Sequence, residues 1–155
     1  MMDARASGRT WMTIDQILND KGFDIVSVRA EQTLLAAAET LDAKRIGAVV
    51  AMDEADGVVG VLSERDIVRH VARQGAGALD MSVGDAMTRN VVTIDSATKI
   101  DIALQLMTDR RIRHLPVLRD DNLLGVVSIG DLVKWKIAET EAEAEAMKSY
   151  LSAQY

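Results

Sequence analysis

The chain has no cysteine among its 155 residues and only one proline. Without cysteine there can be no disulfide, no Fe–S cluster and no thiolate zinc site, which suits a cytoplasmic protein. Aromatic residues make up only 3%, namely Trp11, Phe23, Trp135, Tyr150 and Tyr155. A chain that is 48% hydrophobic with so few rings has to build its core from Val, Ile, Leu, Ala and Met. No segment approaches the roughly 18 apolar residues of a membrane span; the run 46–52 is strand-sized. No apolar stretch follows the charges of Met1-Met2-Asp3-Ala4-Arg5, so no secretory signal is expected. Positive charge is outnumbered, 18 Lys and Arg against 24 Asp and Glu. A formal net charge of −6 speaks against a nucleic-acid binder that works through a broad basic face.

Catalytic signatures are missing as well. The two histidines, His70 and His114, lack the spacing of a zinc-binding helix. There is no nucleophile elbow, no phosphate-binding P-loop and no G-x-G-x-x-G turn. Asp120-Asp121 sits in a turn sequence, and His70 reads as a partly exposed helix residue. The expectation is a protein that is not an enzyme, with no metal site.

What the chain does contain is a repeat. The segment from Gly60 to Val68 recurs from Gly125 to Val133, an offset of 65, with Gly, Val, Ser, Asp and the final Val identical. Upstream the offset becomes 66, where Val26 meets Val92, Ala37 meets Ala103 and Arg45-Ile46 meets Arg111-Ile112. The change falls in the polar turns 53–57 and 119–122, where loop length costs little. The chain is a tandem duplication.

Each copy predicts β-α-β-β-α. Residues 25–28 and 91–94 read as short strands. Leu34, Ala37, Ala38 and Leu41, like Ile100, Ala103, Leu104 and Met107, fall at i, i+3, i+4 and i+7 of helices. Strands follow at 46–52 and 114–118, then at 58–62 and 123–127, with second helices beginning at Ser63 and Ser128. The fold class is α+β: two such units, 14–73 and 82–138, expected to pack by pseudo-twofold symmetry through their sheets, since neither alone buries enough surface. Residues 15–20 read as a helix feeding the first copy, 82–87 as the same element of the second, and 74–78 as the linker. Residues 139–155 form an acidic C-terminal helix or tail; its alternating Glu and Ala favour helix but leave a thin apolar stripe, as in a solvated helix or docking arm.

The doubled motif Ser63-x-x-Asp66 and Ser128-x-x-Asp131 has two readings. As structure it is a helix N-cap, the serine accepting an N–H and the acid favouring the positive end of the dipole. As chemistry, the same N-terminus offers N–H groups and a hydroxyl, while the aspartate accepts hydrogen bonds from adjacent sugar hydroxyls. Both can hold at once. Positive charge gathers at Arg110, Arg111, Arg113 and His114. The first two suit a helix C-terminus. Arg113 and His114 stand at a strand entrance where the first copy has only Gly47 and Ala48, and they point to phosphate.

These features resemble tandem CBS domains, named after cystathionine β-synthase, whose pair is called a Bateman module. The resemblance covers about residues 14–138. It rests on the doubled Gly-Val-Leu/Val-Ser-x-x-Asp segment, Ile46-Gly47-Ala48-Val49-Val50, Ile112-Arg113-His114-Leu115-Pro116-Val117, and Val83-Gly84-Asp85-Ala86-Met87-Thr88 ahead of the second copy. It implies no required cofactor, and adenosine-containing ligands in two clefts between the copies: AMP first, then ADP, ATP, NAD(H) or S-adenosylmethionine. Carried onto this chain, Asp66 and Asp131 would hold ribose, and Ser63 and Ser128 ribose or phosphate. Thr88 would meet base or phosphate. Val92, Ile112 and the backbone at His114 would frame one adenine, with Val26, Ile46 and Ala48 framing the other. Arg65, Arg113 and His114 would take phosphates. The copies depart from each other in two places. Gly22 stands where the second copy has Thr88, with Lys21 beside it able to reach phosphate, and Gly130 matches Arg65. Unequal ligands or affinities are therefore expected. The resemblance further implies a homodimer and a signal passed to an unknown protein partner or through self-association. The alternative is a non-catalytic scaffold module with vestigial clefts, in which the doubled motif only caps helices.

Overall fold

A computed structural model describes residues 11–155. In chain order the elements are α1 (Ile14–Lys21), β1 (Ser27–Arg29), α2 (Leu34–Lys44), β2 (Ala48–Met52), β3 (Val58–Ser63), α3 (Glu64–Gln74), a 3₁₀ turn (Gly75–Asp80), α4 (Val83–Ala86), β4 (Ile94–Asp95), α5 (Ile100–Arg110), β5 (His114–Arg119), β6 (Asn122–Ser128) and α6 (Ile129–Ser152). The class is α+β with two three-stranded sheets, ordered β1-β2-β3 and β4-β5-β6. In each, the first strand pairs parallel and the hairpin antiparallel. Even the register break repeats, at Ala51/Met52 and at Val117/Leu118.

Several boundaries differ from the periodicity, each for a local reason. The strands read at 25–28 and 91–94 are formed at Ser27–Arg29 and Ile94–Asp95, because β-branched residues mark burial while backbone pairing sets strand limits. Val26 still accepts a hydrogen bond from Val50 N–H at 3.2 Å. Ile46 does not begin β2; its N–H returns to Leu41 O at 3.1 Å, past Arg45 in the left-handed conformation with φ 53°. Arg111 and Ile112 repeat this C-cap at φ 53° and 3.0 Å from Met107 O. Ser63 and Ser128 cap their helices and stand one residue outside them. The stretch read as a linker, 74–78, closes α3 and enters the 3₁₀ turn, where Ala78 is fully buried.

The chain folds as two compact bodies that cut across the sequence repeats. One is Asp24–Val92; the other joins the chain up to Phe23 with Thr93–Tyr155. The lead-in helix ahead of each copy therefore sits in the body of the other copy, with the same bonding in both. In the second-copy body, Ile14 N–H reaches Thr98 O at 2.9 Å and Ile100 N–H reaches Met12 O at 3.1 Å. In the first-copy body, Val83 N–H reaches Gln32 O and Leu34 N–H reaches Met81 O, both at 2.8 Å. Antiparallel bridges Thr13–Lys99 and Thr33–Ser82 join the two helix starts in each body.

Among the described residues the buried apolar side chains are all Ile, Leu, Val, Ala or Met. In the first-copy body Val28, Leu34, Ala37, Leu41, Val49, Leu62 and Ile67 cluster with Val83 and Met87. The second-copy body buries Ile14, Ile17, Leu18, Ile100, Met107, Leu115, Val127 and Leu132. Helix α6 runs through the Glu/Ala stretch as one piece to Ser152, consistent with that stretch's helix propensity. Its first glutamate is not solvated: Glu139 is buried, accepting Met12 N–H at 3.2 Å and Lys136 Nζ at 2.9 Å. Lys136 also pairs with Asp101 at 2.7 Å, and these two hydrogen bonds, Asp101's first, raise its pKa. No helix among the described residues is long and apolar enough to cross a membrane.

Candidate functional site

In the first-copy body, β3 delivers the chain directly into α3, so Ser63 caps the helix in extended conformation. Asp66 Oδ2 accepts Ser63 N–H at 2.9 Å and Ser63 Oγ at 3.0 Å, while Asp66 N–H donates to Ser63 Oγ at 3.3 Å. The capping box is closed and the carboxylate is fixed, with only 8% of the residue exposed. The remaining oxygen, Oδ1, stands 3.7 Å from Arg69 Nη1. Thr88 and Val61 exchange backbone hydrogen bonds of 2.9 and 3.0 Å, which lays Thr88 along β3 rather than at the head of a strand. Ala48 begins β2 directly opposite Ser63. Arg65 is exposed, and Val26 and Val92 are half-buried. Ile46 lines an open groove of about 530 Å³ between α2 and α3, together with Leu41, Arg45, Gly47, Ile67 and Val68.

The second-copy body repeats the cap. Ser128 N–H donates to Asp131 Oδ2 at 2.8 Å and Asp131 N–H to Ser128 Oγ at 3.2 Å. Here a second donor arrives. Lys21, the last residue of α1, places Nζ 2.6 Å from Asp131 Oδ2 and 2.9 Å from Val126 O. Burial pushes the Asp131 pKa up, but the hydrogen bonds from Lys21 and the Ser128 amide, with the lysine's charge, outweigh it and hold the carboxyl below its ordinary value. His114 opens β5 directly opposite Ser128 and is half-buried. Arg113 is exposed, and its carbonyl accepts Ile129 N–H at 2.8 Å, as Gly47 O accepts Glu64 N–H at 2.9 Å.

Lys21, Ile112, Arg113, His114, Ser128 and Asp131 thus belong to one body, and Val26, Ile46, Ala48, Ser63, Arg65, Asp66, Thr88 and Val92 to the other. Sequence reasoning anticipated neither the Lys21–Asp131 pair nor Arg69 beside Asp66. The first joins residues 110 positions apart. Among the described residues no group of three His, Asp or Glu side chains is placed to hold a metal ion.

The CBS-domain family model matches residues 16–73 and again 83–138. The chain belongs to the CBS-domain family. It carries a tandem CBS pair, and its two small sheets match solved CBS-pair structures. It is 32% identical over 157 aligned residues to a mitochondrial CBS domain-containing protein of Arabidopsis thaliana, covering 96% of this chain and 76% of that one. The crystal structure of a CBS-domain protein from Agrobacterium tumefaciens superposes with a TM-score of 0.79 at 41% identity, over 85% of this chain and 98% of that chain. A CBS domain protein from Pyrobaculum aerophilum, solved in complex with AMP, gives 0.68 at 28% identity, over 77% of this chain and 89% of that chain.

Proposed function

We propose that this CBS pair is a regulatory module of the cytoplasm that binds adenosine-containing nucleotides, AMP foremost with ADP, ATP and NAD(H) as further ligands, and catalyses no reaction. The observation that carries the reading is the doubled cap. Twice, a strand feeds a helix N-terminus beside a carboxylate that its own serine holds in position. A ribose diol needs such an acceptor, and a helix N-terminus with basic neighbours suits the phosphates. The AMP complex of the Pyrobaculum aerophilum relative supports the same ligand class. In this reading Asp66 and Asp131 take the ribose hydroxyls, Ser63 and Ser128 assist, and Arg65, Arg113, His114 and Lys21 supply phosphate contacts. The bound state is passed on through a homodimer or a protein partner, by no more than the ligand's differential affinity for two arrangements.

A thermal-shift panel of AMP, ADP, ATP, NAD, NADH and S-adenosylmethionine tests this. A ligand at about a hundredfold excess over its Kd stabilises by about 2.7 kcal/mol, or roughly 5–10 °C for a chain of this size. One observation favours a second reading: both capping boxes are closed, so capping alone accounts for the doubled motif. No shift with any of the six ligands would establish that alternative, a scaffold module with vestigial clefts.

A further inference from the structure

The two caps match in backbone and differ in counterion. Asp131 Oδ2 is held by Lys21 Nζ at 2.6 Å, and the same ammonium donates to Val126 O. In the first-copy body the lead-in segment packs Met87 over Gly60, as α1 packs Leu18 over Gly125, and the cation beside Asp66 is instead Arg69 of α3, at 3.7 Å. A ribose diol that donates to both oxygens of the Asp131 carboxylate competes with Lys21 for Oδ2. A neutral nucleoside leaves the displaced ammonium without an anion. A nucleotide brings its own replacement, because its phosphate can accept from Lys21 while its diol donates to Asp131. We infer that Lys21 is the specificity-determining residue of the Asp131 site, an internal counterion that admits ligands carrying a phosphate and discriminates against uncharged nucleosides. The inference rests on the nucleotide reading above and adds which member of the adenosine class this site selects. The pair is half-exposed, with side-chain accessibilities of 42% and 27%, so the selectivity it supplies is about tenfold rather than several hundredfold.

Backbone amides report on each site separately, because Ser128 N–H is bonded to Asp131 and Ser63 N–H to Asp66. AMP and adenosine are titrated against the wild-type chain, K21M and K21R, following those two amides by NMR. In the wild type, AMP should move the Ser128 amide at about tenfold lower concentration than adenosine does. K21M should weaken AMP, strengthen adenosine and bring the two within about threefold, whereas K21R keeps the preference. If K21M proves poorly folded, K21Q carries the same comparison. An unchanged ratio in the neutral variants, an equal loss of both ligands, or AMP moving Ser63 but never Ser128 would overturn the inference while leaving the nucleotide reading intact. Neither amide responding to either ligand would overturn both.

Discussion

The caps at Ser63–Asp66 and Ser128–Asp131 share their residues, their place on the helix and their reciprocal hydrogen bonds, yet their carboxylates face different neighbours. Asp66 is sealed in, with a guanidinium at 3.7 Å; Asp131 is more open and gripped by an ammonium at 2.6 Å. Duplication has preserved what the backbone needs and let the electrostatics diverge. The cation beside Asp66 comes from its own helix, α3, whereas the cation beside Asp131 comes from α1, the lead-in helix that precedes the other copy in sequence. Each lead-in segment is tied to a helix start by backbone bonds common to both bodies, and in the second-copy body it also reaches the cap through a side chain, Lys21.

The largest test of this symmetry lies where those segments press on the sheets. A Cβ added at Gly60 would stand 2.6 Å from Met87 Sδ and 2.7 Å from the Thr88 carbonyl. The thioether can turn away, but the carbonyl is locked by its bond with Val61. Gly60→Ala should therefore cost about 2–3 kcal/mol by overpacking. At the matching Gly125 the new Cβ would meet only the end of the Leu18 side chain, Cδ2 at 3.0 Å and Cδ1 at 3.9 Å, and no backbone. Gly125→Ala should cost under about 1 kcal/mol. Urea unfolding of both variants gives the ranking, and equal losses would mean that the two lead-in contacts are equally stiff.

Much of this architecture is legible in the sequence because duplication doubles every signal. The helical spacing of Leu34, Ala37 and Leu41 and the Ser-x-x-Asp caps each occur twice, so the elements, the α+β class and the aspartates follow from pattern alone. Membership of the two bodies does not. Helix α1 has eight residues and α4 has four, and so short an amphipathic run shows that a face is buried without showing against which sheet. Bridges such as Thr13–Lys99 are backbone bonds and leave no side-chain pattern. The Lys21–Asp131 pair is hidden for the same reason: a lone lysine at a helix C-terminus reads as dipole compensation until the fold brings an aspartate to it. Glu139 is hidden by its neighbours, since a buried acid inside a run of solvated ones has the same letter.

Removing the difference between the caps gives a smaller effect. Lys21→Met takes the ammonium away from the Asp131 cap. At neutral pH it should cost about 0.5–1 kcal/mol, the range of a well-aligned but partly exposed pair. The sign of its pH dependence follows from Asp131, whose folded-state pKa is depressed by Lys21 and by Ser128. A depressed carboxylate contributes stability that is present above its unfolded value, near 4, and is lost as pH falls through the folded value. The gap between wild type and K21M should therefore hold from neutral pH down to about 4 and close below it. Guanidinium unfolding across that range measures it, and a gap that widens on acidification would contradict the assignment.

The smallest test concerns a feature in which the bodies agree. Arg45 and Arg111 both close their helices at φ 53°, where an L side chain is strained and glycine is not. Arg45→Gly and Arg111→Gly should each stabilise by about 0.5 kcal/mol, the relief of the left-handed strain exceeding the entropy glycine gives up. Because the backbones match, the two gains should agree to within about 0.3 kcal/mol, a difference that melting curves resolve when averaged. A gain at Arg45 with a loss at Arg111 would show that the Arg111 side chain supports more than a helix end. The divergence seen at the aspartates would then extend along α5 to the arginine cluster, and the second-copy body would be the one specialised for anions throughout.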